Sequence, residues 1–156
     1  MDNNWLTIEN VGNEVILKKC SKKATGEITI PDGVTSIDKY AFAFCQDITR
    51  VNISSSVTSI GEKAFWGCSS LESILVPRSV TSLGKSVFEH CLTLRTAIIS
   101  SGVTHLNKRT FANCKKLRYV NLPTNITLGN ETFRDCECLT INVYDKTLAE
   151  PMIIYK

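Results

Sequence analysis

The sequence predicts a repeat solenoid, mainly β with short helical turns, and three observations carry that prediction. Phe42, Phe65, Phe88 and Phe111 stand at a constant interval of 23 residues, and Cys45, Cys68, Cys91 and Cys114 keep the same interval. Between these markers, aliphatic residues return at fixed places in every copy. A period of this length belongs to architectures in which each short unit buries its apolar face only against the units before and after it. A single unit has no core of its own, so the array stands as one domain.

Before the repeats, residues 1–27 are expected to form a capping hairpin. Leu6 to Ile8 and Val15 to Leu17 flank Gly12-Asn13, a pair suited to a tight turn, and Lys18, Lys19, Lys22 and Lys23 make the cap polar. Residues 28–143 hold five units of about 23 residues and a closing strand. Each unit opens on a strand: Ile28, Val51, Ile74, Ala97 and Val120 are followed two positions on by Ile30, Ile53, Val76, Ile99 and Leu122, all turned inward by period-two alternation. Pro31, Pro77 and Pro123, or Ser54 and Ser100, end that strand. A second short β-branched segment follows, with Val34, Val57, Val80, Val103 and Ile126 each preceding a threonine, from Thr35 to Thr127. The next inward column is Ile37, Ile60, Leu83, Leu106 and Leu128. The stretch around Ala64-Phe65 lacks a strand pattern and reads as a tight helical turn carrying Phe65 inward. The cysteine column and then Ile48, Leu71, Leu94, Leu117 and Leu139 complete the unit. In the fifth copy Thr127 runs straight into Leu128, so Phe133 and Cys136 come one residue early. Residues 144–156 form a C-terminal cap or docking tail: Met152-Ile153-Ile154-Tyr155 is apolar and either folds back or meets a second copy, which makes a homodimer through the C-terminal edge an expectation.

Stretches such as Val57-Thr58-Ser59-Ile60-Gly61, Ala64-Phe65, Gly67-Cys68 and Leu71 resemble the leucine-rich repeat, and more narrowly its bacterial 23-residue, BspA-like subclass. The resemblance runs from about Ile28 to Val143. It implies a right-handed superhelix with a parallel sheet, and an adhesin-type module at the cell surface or secreted, binding a macromolecular partner. The competing reading is an intracellular protein-interaction or scaffolding solenoid that self-associates through its C-terminal edge. Taken as a native start, Met1-Asp2-Asn3-Asn4-Trp5 has neither the basic nor the apolar region of a secretion signal and points to the cytoplasm instead. Sequons at Asn52, Asn125 and Asn130 bear on this only in a eukaryotic secretory route.

Composition and charge exclude several classes. With 43% apolar and 21% charged residues the chain is an ordinary soluble globular one, and no run of 18 apolar residues could insert in a membrane. A net charge of +3 without a basic stripe interleaved with aromatics argues against nucleic acid. Five of the seven cysteines form a ladder of small interior side chains. Stacked members share one Cβ direction, which opposes the disulfide dihedral, and a line of sulfurs cannot surround a tetrahedral metal, so no metal or cofactor is expected. Cys138 falls where other copies place Asp47, Ser70, Thr93 and Lys116 and is expected to be the exposed, reactive thiol; Cys20 is either buried or free. His90 beside Cys91 points another way, His105 replaces exposed serines, and no two carboxylates recur at one position, so the chain reads as a non-enzyme.

Function then lies in the columns that the repeat leaves free. On the concave face of the long strands these are Arg50 and Asn52, then Glu72 and Leu75, then Arg95 and Ile98, then Arg118, Tyr119 and Asn121. Leu75 and Ile98 are outward aliphatics in adjacent turns, and Arg and Tyr are the residue types that anchor protein interfaces. The expected partner is a protein. A second exposed set, Phe44, Trp66 and His90, follows the phenylalanine column and reads as local packing on the convex side.

Overall fold

The structure, a computed structural model, describes residues 4–145 and, as strand backbone, residues 152–153. Among the described residues the chain forms fourteen strands and no helix. The long strands β3 (Thr25–Thr29), β5 (Asp47–Asn52), β7 (Ser73–Val76), β9 (Thr96–Ile99), β11 (Tyr119–Pro123) and β13 (Thr140–Tyr144) lie parallel in chain order, and β14 (Met152–Ile153) pairs antiparallel on the outer edge of β13. The short strands β4 (Ser36–Ile37), β6 (Ser59–Ile60) and β8 (Ser82–Leu83) extend a second sheet that starts from the antiparallel hairpin of β1 (Leu6–Val11) and β2 (Glu14–Cys20). Strands β10 (His105–Leu106) and β12 (Thr127–Leu128) pair in the same parallel sense in the last turns. The core is the strip between these walls, and it is a stack of like residues: Phe42, Phe65, Phe88, Phe111 and Phe133 have successive ring centroids 4.8, 5.4, 5.3 and 5.7 Å apart.

The segment around Ala64–Phe65 turns tightly and carries Phe65 inward as expected, but it does so without a helix. The N–H groups of Ala64, Trp66 and Cys68 donate three residues back, to Gly61, Lys63 and Phe65. Those of Lys63, Phe65 and Gly67 donate instead to Lys85, Val87 and Glu89 of the next turn, at 2.9 Å each. A helix would keep every N–H inside its own segment. Here alternate residues serve alternate purposes, and the reversal needs left-handed backbone two residues before and two after each phenylalanine: Tyr40 and Phe44, Lys63 and Gly67, Ser86 and His90, Arg109 and Asn113, Glu131 and Asp135 all have φ between 53° and 71°.

The threonine column explains itself in the same terms. Thr58 Oγ1 donates to the Thr35 carbonyl at 3.2 Å, and Thr81 and Thr127 donate to the Thr58 and Thr104 carbonyls at 3.4 Å. These hydroxyls tie one turn to the turn before it, just outside the short strands.

Two inward assignments are corrected. Leu128, expected inside with Ile37, Ile60, Leu83 and Leu106, is 48% exposed. Its turn is the last complete one described, so no further turn covers it, and Ile126, Phe133, Cys136 and Leu139 are only partly buried for the same reason. Ile53 is half-buried, while Ile30, Val76, Ile99 and Leu122 are buried. Cys20 is buried and Cys138 exposed, and all seven cysteines are free thiols. Of the expected C-terminal segment, residues 146–151 and 154–156 lie outside the described residues.

Candidate functional site

Parallel register turns the outer face of the seven-stranded sheet into rows. One row runs Glu27, Arg50, Ser73, Thr96, Tyr119, Thr140. Two residues further along the strands, the next runs Thr29, Asn52, Leu75, Ile98, Asn121, Asn142. Alternation in each strand sends the residues between these rows inward, so Val51, Ile74, Ala97 and Val120 are buried while Leu75 is 53% and Tyr119 50% exposed. Of the expected set, Arg50, Asn52, Leu75, Ile98, Tyr119 and Asn121 thus stand in these two rows.

Polar members bind one another within the second row and across to the first. Asn52 Nδ2 donates to Glu27 Oε1 at 2.5 Å and to Thr29 Oγ1 at 3.3 Å, and Asn142 Nδ2 donates to Asn121 Oδ1 at 2.9 Å. Leu75 and Ile98 are left in the middle as an aliphatic step between two side-chain ladders. Asn52 and Asn121 thus act first in holding the row, and Glu27, Thr29 and Asn142, which sequence reasoning did not single out, extend it.

A third column precedes the strands. The N–H of Arg95 donates to the Glu72 carbonyl at 2.8 Å and that of Arg118 to the Arg95 carbonyl at 2.9 Å, so Glu72, Arg95 and Arg118 stand in line. Arg95 and Arg118 join Lys115, Lys116 and Cys138 around a cleft of about 400 Å³. Among the described residues the ion pairs are made elsewhere, by Lys18 with Asp38, by Arg109 with Glu131 and by Arg134 with Glu131 and Asp135, and none involves the four cations of the cleft. Arg50 lies two strands away from Arg95 and does not join them. Lys115 and Lys116 were not among the residues expected on this face. The signal that would have found the cleft was the repeat register itself, which sets Cys138 one turn above Lys116.

The aromatic set on the turns packs as expected of local structure. Phe44 and Trp66 centroids are 4.8 Å apart, Trp66 and His90 6.3 Å, and the Lys63 ammonium sits 4.9 Å over the Trp66 ring. Beside His90, the Cys91 thiol points inward and donates to the Phe65 carbonyl at 3.2 Å. Burial pushes the thiols of Cys68, Cys91 and Cys114 well above their usual range, and that of Cys136 up to about 11. Among the described residues no three His, Cys, Asp or Glu side chains converge on a metal-sized site.

A sequence model described as BspA type leucine rich repeat region matches residues 14–140 in six copies. A leucine-rich repeat protein from Eubacterium ventriosum is similar over 92% of this chain at 30% identity with a TM-score of 0.79, and this chain spans 40% of it. A leucine rich cell surface protein from Faecalibacterium prausnitzii is similar over 78% at 25% identity, with a TM-score of 0.54 and 41% of that chain spanned. The pneumococcal vaccine antigen PcpA shares the fold over 88% of the chain at 24% identity, with a TM-score of 0.67 and 38% of its own length spanned. A search of curated proteins found no match.

Proposed function

We propose a function from one premise: the chain belongs to the BspA type leucine rich repeat family. Repeats of this kind are, in general, protein-interaction modules, and their interior columns are spoken for by folding. Our reading is that this chain is a non-enzymatic, adhesin-type binding module that recognises a protein through the exposed face of the seven-stranded sheet. The observation that carries it is the Leu75–Ile98 step, two aliphatics in direct register, Leu75 exposed, with Arg95 and Arg118 in the column that precedes the same strands and, among the described residues, in no ion pair. An apolar centre with an arginine rim is the composition of an interface core and its border. The partner's complementary surface carries apolar side chains and carboxylates. The description of one similar structure as a cell surface protein supports the adhesin reading over the cytoplasmic one.

The test is paired capture from the source organism's lysate and from candidate surface ligands, using the native chain and a Leu75→Asp, Ile98→Asp variant. A partner held by the native chain and lost by the variant, with an unchanged thermal melt, is the expected result. Equal capture by both overturns the assignment of this face.

The second reading, a scaffold that self-associates at its C-terminal end, is favoured by one feature. Leu122, Pro123, Ile126, Leu128, Ile141 and Val143 line a mainly apolar cleft of about 250 Å³ on the last turns.

A further inference from the structure

The thiol ladder changes character at its N-terminal end. From Cys68 onward each thiol donates to the carbonyl of the phenylalanine in the preceding turn: Cys68 to Phe42 at 3.1 Å, Cys91 to Phe65 at 3.2 Å, Cys114 to Phe88 at 3.1 Å and Cys136 to Phe111 at 3.2 Å. Cys45 has no such acceptor, because the turn before it is cut short. Leu17 pairs with Ile37, yet Cys20 follows Leu17 by three residues where Cys45 follows Ile37 by eight, and no phenylalanine stands between Leu17 and Cys20.

The Cys45 thiol instead turns to the carbonyls of Cys20 at 3.7 Å and Ser21 at 3.6 Å, and Cys20 Sγ lies 3.6 Å from the same Ser21 oxygen. The two sulfurs thus converge on one backbone oxygen, that of Ser21. Higher in the ladder each thiol has its own phenylalanine carbonyl, and no two sulfurs share an acceptor. The parallel Cβ directions that oppose a disulfide between stacked cysteines do not apply here, since Cys20 ends β2 and is no copy of the ladder position.

We propose that Cys20 and Cys45 are a disulfide site, closed by a small-molecule disulfide oxidant such as oxidised glutathione, which fastens the N-terminal hairpin to the first complete turn. The exchange begins with the Cys45 thiolate, which the charges of Lys22 and Lys19 favour. It bonds to one sulfur of the oxidant, whose S–S bond breaks and releases one glutathione thiolate. Cys20 then gives up its proton and attacks the Cys45 sulfur of the mixed disulfide, expelling the second glutathione. Two protein thiols lose two protons and two electrons, and one small disulfide becomes two thiols. Both residues are buried, so the reaction runs through opening of the hairpin end, where Cys20 N–H donates to Ala41 and Ser21 N–H to Trp5, at 2.7 Å each.

The test uses the full chain with Cys138→Ser, which removes the exposed thiol and leaves the ladder intact. It is incubated with oxidised glutathione, with and without low urea, then unfolded in an alkylating reagent and mapped by peptide mass. The expected product is a Cys20–Cys45 linked peptide lacking two hydrogens, formed faster in urea, reversed by reductant and accompanied by a melting temperature higher by about 5 °C. Both cysteines fully alkylated after oxidation in urea, or links among stacked ladder cysteines forming as readily, overturns the proposal. Mapping needs no variant at either position, and Cys20→Ser serves as the blank for the linked peptide.

Discussion

Gly67 is the one glycine among the ten left-handed positions that bracket the phenylalanines of the described residues, and its neighbours show what the backbone there costs. An L-residue in this region carries a penalty of about 1–2 kcal/mol, and the fold accepts it because each such N–H from Tyr40 to Asn113 bonds to the next turn. At Gly67, with φ of 71°, an added Cβ would also come within 2.8 Å of the Phe44 ring. Gly67→Ala is expected to destabilise by about 1–3 kcal/mol, and Ser86→Gly, which relieves a φ of 53°, to stabilise by about 0.5–1 kcal/mol. Urea unfolding of the two variants checks this, and indistinguishable midpoints would remove the argument for strain. None of this was legible in the sequence: Tyr40, Phe44, Lys63, Ser86, His90 and Arg109 are not residues that signal left-handed backbone. They occupy it because stacking of turns decides where their N–H groups must point.

The cysteine ladder, by contrast, was legible as an element, since equal spacing in a solenoid means equal environment. What it does energetically follows from its protonation. The unfolded chain releases thiol protons near 9.0, whereas Cys68, Cys91 and Cys114, held neutral by burial, keep theirs to higher pH in the folded chain. Above pH 9 the folded state therefore binds more protons than the unfolded one, and stability falls as pH rises. Each thiol contributes a slope of about 1.4 kcal/mol per pH unit, so the three together approach about 4 kcal/mol per unit. Unfolding free energies from urea titrations between pH 8 and 10 should show that steepening, with Cys136 adding to it, and Cys91→Ala should lower the slope by about 1.4 kcal/mol per pH unit. An unaltered slope in the variant would mean that the ladder thiol is not the titrating group. The second inward column was legible only up to its last member, because Leu128 depends on a covering turn that its own sequence does not report.

At the scale of the molecule, an open solenoid has two ends with different solutions. The β1–β2 hairpin covers the first turn, with Glu9, Lys18 and Lys19 on its polar side. At the other end β14 occupies the outer edge of β13, and an apolar cleft lies around Leu128 among the described residues. Self-association through that end predicts a sedimentation mass that rises with concentration and changes when the chain is cut after Lys146. The same monomer in both forms excludes it. Tyr144, whose hydroxyl donates to the Ile99 carbonyl at 2.6 Å, ties the last long strand to the strand two places before it and belongs to the part kept by the cut.

The sequence alone determined the period, the inward columns, the parallel stacking and the outward residues of the long sheet, because in a repeat one buried pattern is read several times and errors in one copy are corrected by the rest. Tertiary structure decided what repetition cannot encode. It closed Asn52 and Asn121 into side-chain ladders, gathered Arg95, Arg118, Lys115 and Lys116 around one cleft, and turned a helix-like segment into alternating in-turn and between-turn hydrogen bonds. It also brought the Cys20 and Cys45 thiols to the one Ser21 carbonyl, where a turn is too short to follow the pattern. Each of these depends on contacts between turns, and a residue's neighbour across the stack is set by register and by the lengths of the turns between, not by its own identity.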